Sequence, residues 1–114
     1  MTATARMEVD YADAVAAFNA STRPALEQAI AEAIAEFATG LAPIDAALRS
    51  ALDAEGARRW RPLLALAGAE AAAVRGPAAL RAAVAMELTH TASLVLDDLP
   101  CMDDSCTRRG RAAT

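Results

Sequence analysis

The chain has 114 residues, 55% of them hydrophobic and only 4% aromatic, and carries a net charge of −4. This length allows one domain with a moderate core, and the acidic balance argues against non-specific nucleic-acid binding, which needs a basic face. No run of about 18 uncharged apolar residues offers a membrane-spanning helix, and residues 1–10 lack the basic start and apolar centre of a signal peptide.

Residues 1 to about 8 read as a loose end. Residues 11–19 predict a short helix with Tyr11, Val15 and Phe18 on one face. Ser21-Thr22-Arg23-Pro24 is a start signal, a capping hydroxyl followed by proline near a first turn. Leu26, Ile30, Ile34 and Phe37 then recur at three to four residues, predicting a second helix that ends near Thr39-Gly40. Pro43 opens another, with Ile44, Leu48 and Leu52 at spacing four, and Gly56 breaks it. Pro62 marks the start of the next, and Gly76-Pro77 is a turn. The last helix is predicted from about Ala78 to Leu96 or Asp98, where Pro100 ends it. There is no strand signal. Alanine dominates throughout, which favours helix, so the expectation is an all-α bundle of about five helices with short connections.

The chemistry gathers at the end of that last helix. Asp97, Asp98, Asp103 and Asp104 place four carboxylates within eight residues, and Arg108, Arg109 and Arg111 follow at once. Acids at a helix C-terminus face the negative end of the macrodipole, so a merely solvated helix end is the weaker reading. A hard divalent cation bridging the carboxylates makes the cluster reasonable, and the arginines point to phosphate oxygens as the other ligand. A calcium loop fits badly, because its turn glycine and closing glutamate are missing. His90 lies seven residues before Asp97, on nearly the same helix face.

A second group is Arg58-Arg59-Trp60-Arg61-Pro62, three arginines at a loop-to-helix junction, where exposed N–H groups favour anions. The competing reading is a solvated basic turn, and Trp60 is expected to pack rather than recognise. His90 taken alone is more simply a hydrogen-bonded core residue than a ligand. With Cys101 and Cys106 the only cysteines and one histidine, a zinc site or a cysteine nucleophile has little support, and a reducing, cytoplasmic setting is the default.

Three ordered motifs, Arg58-Arg59-Trp60-Arg61-Pro62, Glu87-Leu88-Thr89-His90-Thr91-Ala92-Ser93-Leu94 and Asp97-Asp98-Leu99-Pro100-Cys101-Met102-Asp103-Asp104 with Arg108-Arg109-Gly110, resemble the N-terminal portion of the trans-isoprenyl diphosphate synthases, the polyprenyl synthetases. The resemblance spans roughly residues 40–114. It implies the N-terminal part of an isoprenoid-synthase helical bundle and head-to-tail prenyl transfer. It further implies that Asp97, Asp98 and Asp103 bind Mg²⁺ and, through it, an allylic diphosphate (farnesyl or shorter). Arg58, Arg61 and His90 then match positions that hold isopentenyl diphosphate, Arg108 an allylic-diphosphate contact and Arg109 an isopentenyl-diphosphate contact. Arg58 stands where the family usually has lysine, and Leu96 where many members have histidine.

In such enzymes bulk just before the aspartates limits product length. Ala92 and Ser93 are both small, which implies a twenty-carbon product, geranylgeranyl diphosphate, as in bacterial carotenoid-type synthases. The second aspartate-rich motif of the family has no match here, so residues 1–114 are expected to be a single incomplete domain, inactive alone and, as a homodimer or a fragment with bare apolar faces, prone to self-association. The alternatives are a non-catalytic subunit that modifies a full-length synthase, and a helical interaction module that binds no metal.

Overall fold

Glycine and proline divide this alanine-rich chain into helices at the places where they withdraw a backbone donor or allow a positive φ. The computed structural model describes residues 10–52, 57–108 and 110–113. It contains α1 (Tyr11–Glu36), α2 (Ala42–Leu52), α3 (Trp60–Ala71) and α4 (Pro77–Asp97), followed by a minimal ribbon of β1 (Thr107–Arg108) and β2 (Arg111–Ala112). The two strands are antiparallel, with Thr107 opposite Ala112 and Arg108 opposite Arg111. The all-α expectation holds, with this ribbon as an addition.

The two N-terminal helices of the sequence reading are one. Asp10, not Ser21, caps α1: its Oδ1 accepts from the Ala12 N–H at 2.9 Å and the Asp13 N–H at 3.4 Å. Pro24 lies inside the helix and cannot donate to the Ala20 carbonyl, yet the helix continues. The Ser21 hydroxyl turns back to the Phe18 carbonyl at 3.0 Å and caps nothing. Packing overrides the local signal, because Phe18 on one side of the proline and Leu26, Ile30 and Ile34 on the other join the same core. The helix also stops earlier than predicted, at Glu36. Asp45 organises the connection to α2, accepting from the Thr39 N–H at 2.7 Å, the Thr39 hydroxyl at 2.9 Å and the Gly40 N–H at 3.1 Å. Gly40, at φ 78°, supplies the left-handed step of that turn.

Pro43 and Pro62 lie in first turns, as read, and Pro77, read as a turn residue just before the last helix, is the first residue of α4. Gly56, the predicted break after α2, is outside the described residues. Of the four-spaced residues of α2, Leu52 is buried, Leu48 packs against the core and Ile44 is exposed. The core consists of Leu26, Ile30 and Ile34 from α1, Leu52 from α2, Leu63 from α3, and Ala83 and Val84 from α4. Burying each large aliphatic side chain contributes roughly 1.5–3 kcal/mol. α4 touches all three other helices, α3 most extensively, so the chemistry-bearing residues of α4 are carried on the most supported element.

Candidate functional site

The first part of the site is built on residues 57–59. Arg59 holds this segment. The residue is 5% exposed, and its guanidinium spans three helices. Nη1 donates to Glu87 Oε1 on α4 at 2.8 Å, Nη2 to the Leu52 carbonyl ending α2 at 2.7 Å, and Nη2 and Nε to Glu27 on α1 at 3.1 and 3.2 Å. Burial by itself would lower the Arg59 pKa, but its hydrogen bonds to the Glu27 and Glu87 carboxylates raise it overall. Arg59 is left-handed, φ 53°, ψ 30°, a conformation costing a residue with a Cβ about 1–2 kcal/mol and maintained here by the fixed guanidinium. Arg23 adds a hydrogen bond to the Ala57 carbonyl and an ion pair to Glu27 at 3.4 Å.

This turn presents Arg58 and Arg61 to a cleft of about 330 Å³, lined also by Arg59, Trp60, Glu87 and His90. Arg58 and Arg61 are exposed. Arg61 Nη1 lies 3.0 Å from His90 Nε2. A guanidinium only donates, so the hydrogen bond requires Nε2 as its acceptor. The histidine is therefore part of the cationic cleft rather than of the hydrocarbon core. Trp60, expected to pack, is half exposed and forms a wall of the cleft.

The second part lies two turns further along α4. Asp98 caps the helix end, and its N–H reaches the Leu94 and Val95 carbonyls at 3.2 Å. Pro100 has no N–H, and the chain folds into a tight turn in which the Asp103 N–H donates to the Asp97 carbonyl at 2.9 Å and the Asp104 N–H to the Leu99 carbonyl at 3.1 Å. Asp97 and Asp103 are thereby tied together through their backbones. Asp98 is buried beneath Arg108 of β1, which donates from Nε to Oδ2 at 2.7 Å and from Nη2 to Oδ1 at 2.6 Å, a two-point fork. That hydrogen bond holds the Asp98 carboxyl below the usual carboxylate range. The Arg108 pKa is raised by Asp98, with Asp97 and Asp103 adding to the pull. All three predicted metal ligands thus act on one guanidinium. Among the described residues no three acidic, histidine or cysteine side chains are grouped to hold a metal. Arg109 lies outside the described residues.

The third part is an apolar groove of about 580 Å³ between α2 and α4, lined by Phe37, Ile44, Leu48, Leu88, Ala92 and Leu96 among others. Ala92 faces this groove. Ser93, its neighbour, faces the other way, beside Arg61 and His90, and its hydroxyl bonds the His90 carbonyl at 2.7 Å. The two small residues occupy different surfaces.

The sequence reading grouped Arg59 with the arginines that can meet an anion, whereas its side chain is buried on Glu27 and Glu87, and it gave those two glutamates no role. A signal was present in α4. Ala83 and Val84 are core residues, and Glu87 follows at three to four residues on the same buried face. A carboxylate at that position needs a cation, and Arg59 is the arginine that turns inward.

The profile of the polyprenyl synthetase family matches residues 42–114. Among curated proteins, the chain is 48% identical over 73 residues to a geranylgeranyl diphosphate synthase of Pseudescherichia vulneris, covering 62% of this chain and 24% of that protein. It is 48% identical over 71 residues to heterodimeric geranylgeranyl pyrophosphate synthase large subunit 2 of Arabidopsis thaliana, covering 62% and 19%. It is 50% identical over 56 residues to the mitochondrial geranylgeranyl pyrophosphate synthase 6 of the same plant, covering 49% and 17%. The chain thus spans under a quarter of the length of these relatives. No solved structure matches it significantly.

Proposed function

Because the chain belongs to the polyprenyl synthetase family, we propose that it carries the N-terminal, diphosphate-receiving part of a geranylgeranyl diphosphate synthase. Isopentenyl diphosphate binds in the Arg58–Arg61–His90 cleft and an allylic diphosphate at the aspartate turn. The observation that carries this reading is the Arg61–His90 contact at 3.0 Å, two helical turns from Asp97 along one face of α4. It brings a cation cluster and a carboxylate cluster onto the same helix without joining them.

In the reaction, the carbon–oxygen bond of the allylic diphosphate breaks, leaving an allylic cation and inorganic diphosphate. The π electrons of isopentenyl diphosphate form the new carbon–carbon bond, and a proton is lost. Arg58 and Arg61 bind and orient the nucleophilic partner by its diphosphate. Arg108 stabilises negative charge growing on the departing diphosphate. The groove beside Ala92 shields the hydrocarbon from water.

The donor set suits Mg²⁺, which takes one or two carboxylates with phosphate oxygens completing its shell. Asp97 and Asp103 are hard oxygen donors held on one turn, and Asp98 joins them when Arg108 turns to diphosphate. Bound there, Mg²⁺ supplies charge neutralisation to the leaving diphosphate. No helix among the described residues is long and apolar enough to cross a membrane. Exposed free thiols at Cys101 and Cys106 favour a reducing compartment such as the cytoplasm.

Association with further helices is supported by exposed Tyr11, Val15, Phe37 and Leu41, and either a second copy or a full-length synthase fits them. Calorimetry with inorganic pyrophosphate tests the central reading. Binding should strengthen with Mg²⁺, and Asp97→Ala should abolish the Mg²⁺ effect. Binding that ignores both Mg²⁺ and Asp97 would leave a helical interaction module instead.

A further inference from the structure

The proposed isopentenyl-diphosphate cleft contains a contradiction. One of its walls is Glu87, a carboxylate 7% exposed whose charge opposes any diphosphate entering beside it. Yet Glu87 is one helical turn before His90 on α4, at the back of the cleft. Among the described residues, the guanidinium that bonds Glu87 is that of Arg59, through Nη1 at 2.8 Å. Arg59 is also the residue whose backbone is held left-handed and whose side chain points away from solvent while its neighbours Arg58 and Arg61 are exposed.

We propose that Arg59 is a positioning residue for the diphosphate cleft, cancelling the charge of Glu87 and, by the same buried contacts, turning the flanking Arg58 and Arg61 outward. The inference rests on the reading of the cleft as a diphosphate site and adds to it a division of labour within one arginine-rich turn. Two arginines meet the ligand, and the one between them neutralises the wall. Glu27 completes the arrangement from α1. It is more exposed than Glu87 and is shared with Arg23, so Arg59 remains committed to α4 when that outer pair loosens.

A purely structural clamp and a charge-cancelling residue differ in one respect. If Arg59 and Glu87 are only a clamp, loosening it from either side weakens the cleft. If Arg59 cancels Glu87, removing the Glu87 charge makes the cleft more cationic and binding tightens. The experiment is calorimetric titration of inorganic pyrophosphate, without Mg²⁺ so that the aspartate turn is not recruited, into the chain and four variants. Arg61→Ala should lose binding about tenfold or more. Arg59→Gln should weaken it by about tenfold, Glu87→Gln should tighten it by about threefold or more, and the Arg59→Gln/Glu87→Gln pair should return close to the unmodified chain. Glu87→Gln decides the matter even when Arg59→Gln does not fold. Unchanged or weaker binding in Glu87→Gln overturns the inference, as does a double variant no better than Arg59→Gln. A chain that binds no pyrophosphate overturns the diphosphate reading and this inference together. Binding that is lost in Arg61→Ala but indifferent to Arg59 overturns this inference alone.

Discussion

The two charged regions of the molecule are built on opposite plans. At the arginine turn, the decisive ion pair is inside: Arg59 and Glu87 are buried, three helices converge on one guanidinium, and the cleft-lining Arg58 and Arg61 are exposed. At the aspartate turn the candidate ligand residues are themselves the pair, Asp98 with Arg108, on a short ribbon at the end of the chain. The first region is preorganised, since binding there need not disturb what holds it. In the second, on the proposed reading, an entering diphosphate would compete with Asp98 for Arg108 and release Asp98 as Arg108 is taken. The contrast suits the two tasks of the proposed reaction, in which one diphosphate would only be held and the other would leave.

The largest test of this contrast is on stability. Arg59→Ala leaves Glu87 buried without its cation, which costs on the order of 3 kcal/mol or more, read as a lowered urea midpoint. Arg108→Ala should lower that midpoint less, because the Arg108 side chain is one-third exposed and its removal opens Asp98 to water. Equal losses in the two variants would erase the distinction. Next in size is the split between the small residues before the aspartates, measured in a full-length enzyme bearing this segment. Ala92→Tyr fills the apolar groove and should shorten the main product by at least one five-carbon unit. Ser93→Tyr crowds Arg61 and His90 and should instead raise KM for isopentenyl diphosphate. Product length unchanged in Ala92→Tyr would remove that groove from the path of the growing chain.

A smaller effect separates both charged regions from ordinary surface capping. The Asp45 carboxyl is held below its usual 3.8 by the Thr39 N–H, then by the Thr39 hydroxyl, the Gly40 N–H and the Arg49 charge. A depressed folded pKa means the stabilisation is present above the unfolded value and disappears as pH falls through the folded one. The α1–α2 turn should therefore be intact at neutral pH and loosen only below pH ~4. Carbon-detected NMR titration of Asp45 checks this, and a titration at or above 3.8 would contradict it.

What could be read from the sequence follows how local each determinant is. Pro43, Pro62 and Gly76-Pro77 act on their own backbone, and the starts of α2, α3 and α4 were legible from them. The end of α4 was legible because Pro100 has no N–H to continue it. Ser21-Thr22-Arg23-Pro24 misled because its local preference for a helix start is outweighed by core contacts on both sides, from Phe18 to Ile34. The ribbon at Thr107–Arg108 and Arg111–Ala112 is too short to show alternation, with Gly110 at φ 74° its one local mark. At the site, Arg58, Arg61 and His90 were legible from their motifs, and the structure brings them to one cleft. Arg59 was not, because nothing in an arginine run says which member turns inward. That is decided by Glu87, 28 residues away.

The most direct measurement follows backbone amide NMR signals while the two ligands are added in turn. Isopentenyl diphosphate without Mg²⁺ should shift residues 57–61 and His90 while leaving 97–108 in place, and Mg²⁺ with an unreactive allylic diphosphate should then shift Asp97, Asp98, Asp103 and Arg108. A single set of residues answering to both ligands, or shifts confined to neither cluster, would contradict a molecule that holds one diphosphate on a prebuilt cleft and opens an ion pair to receive the other.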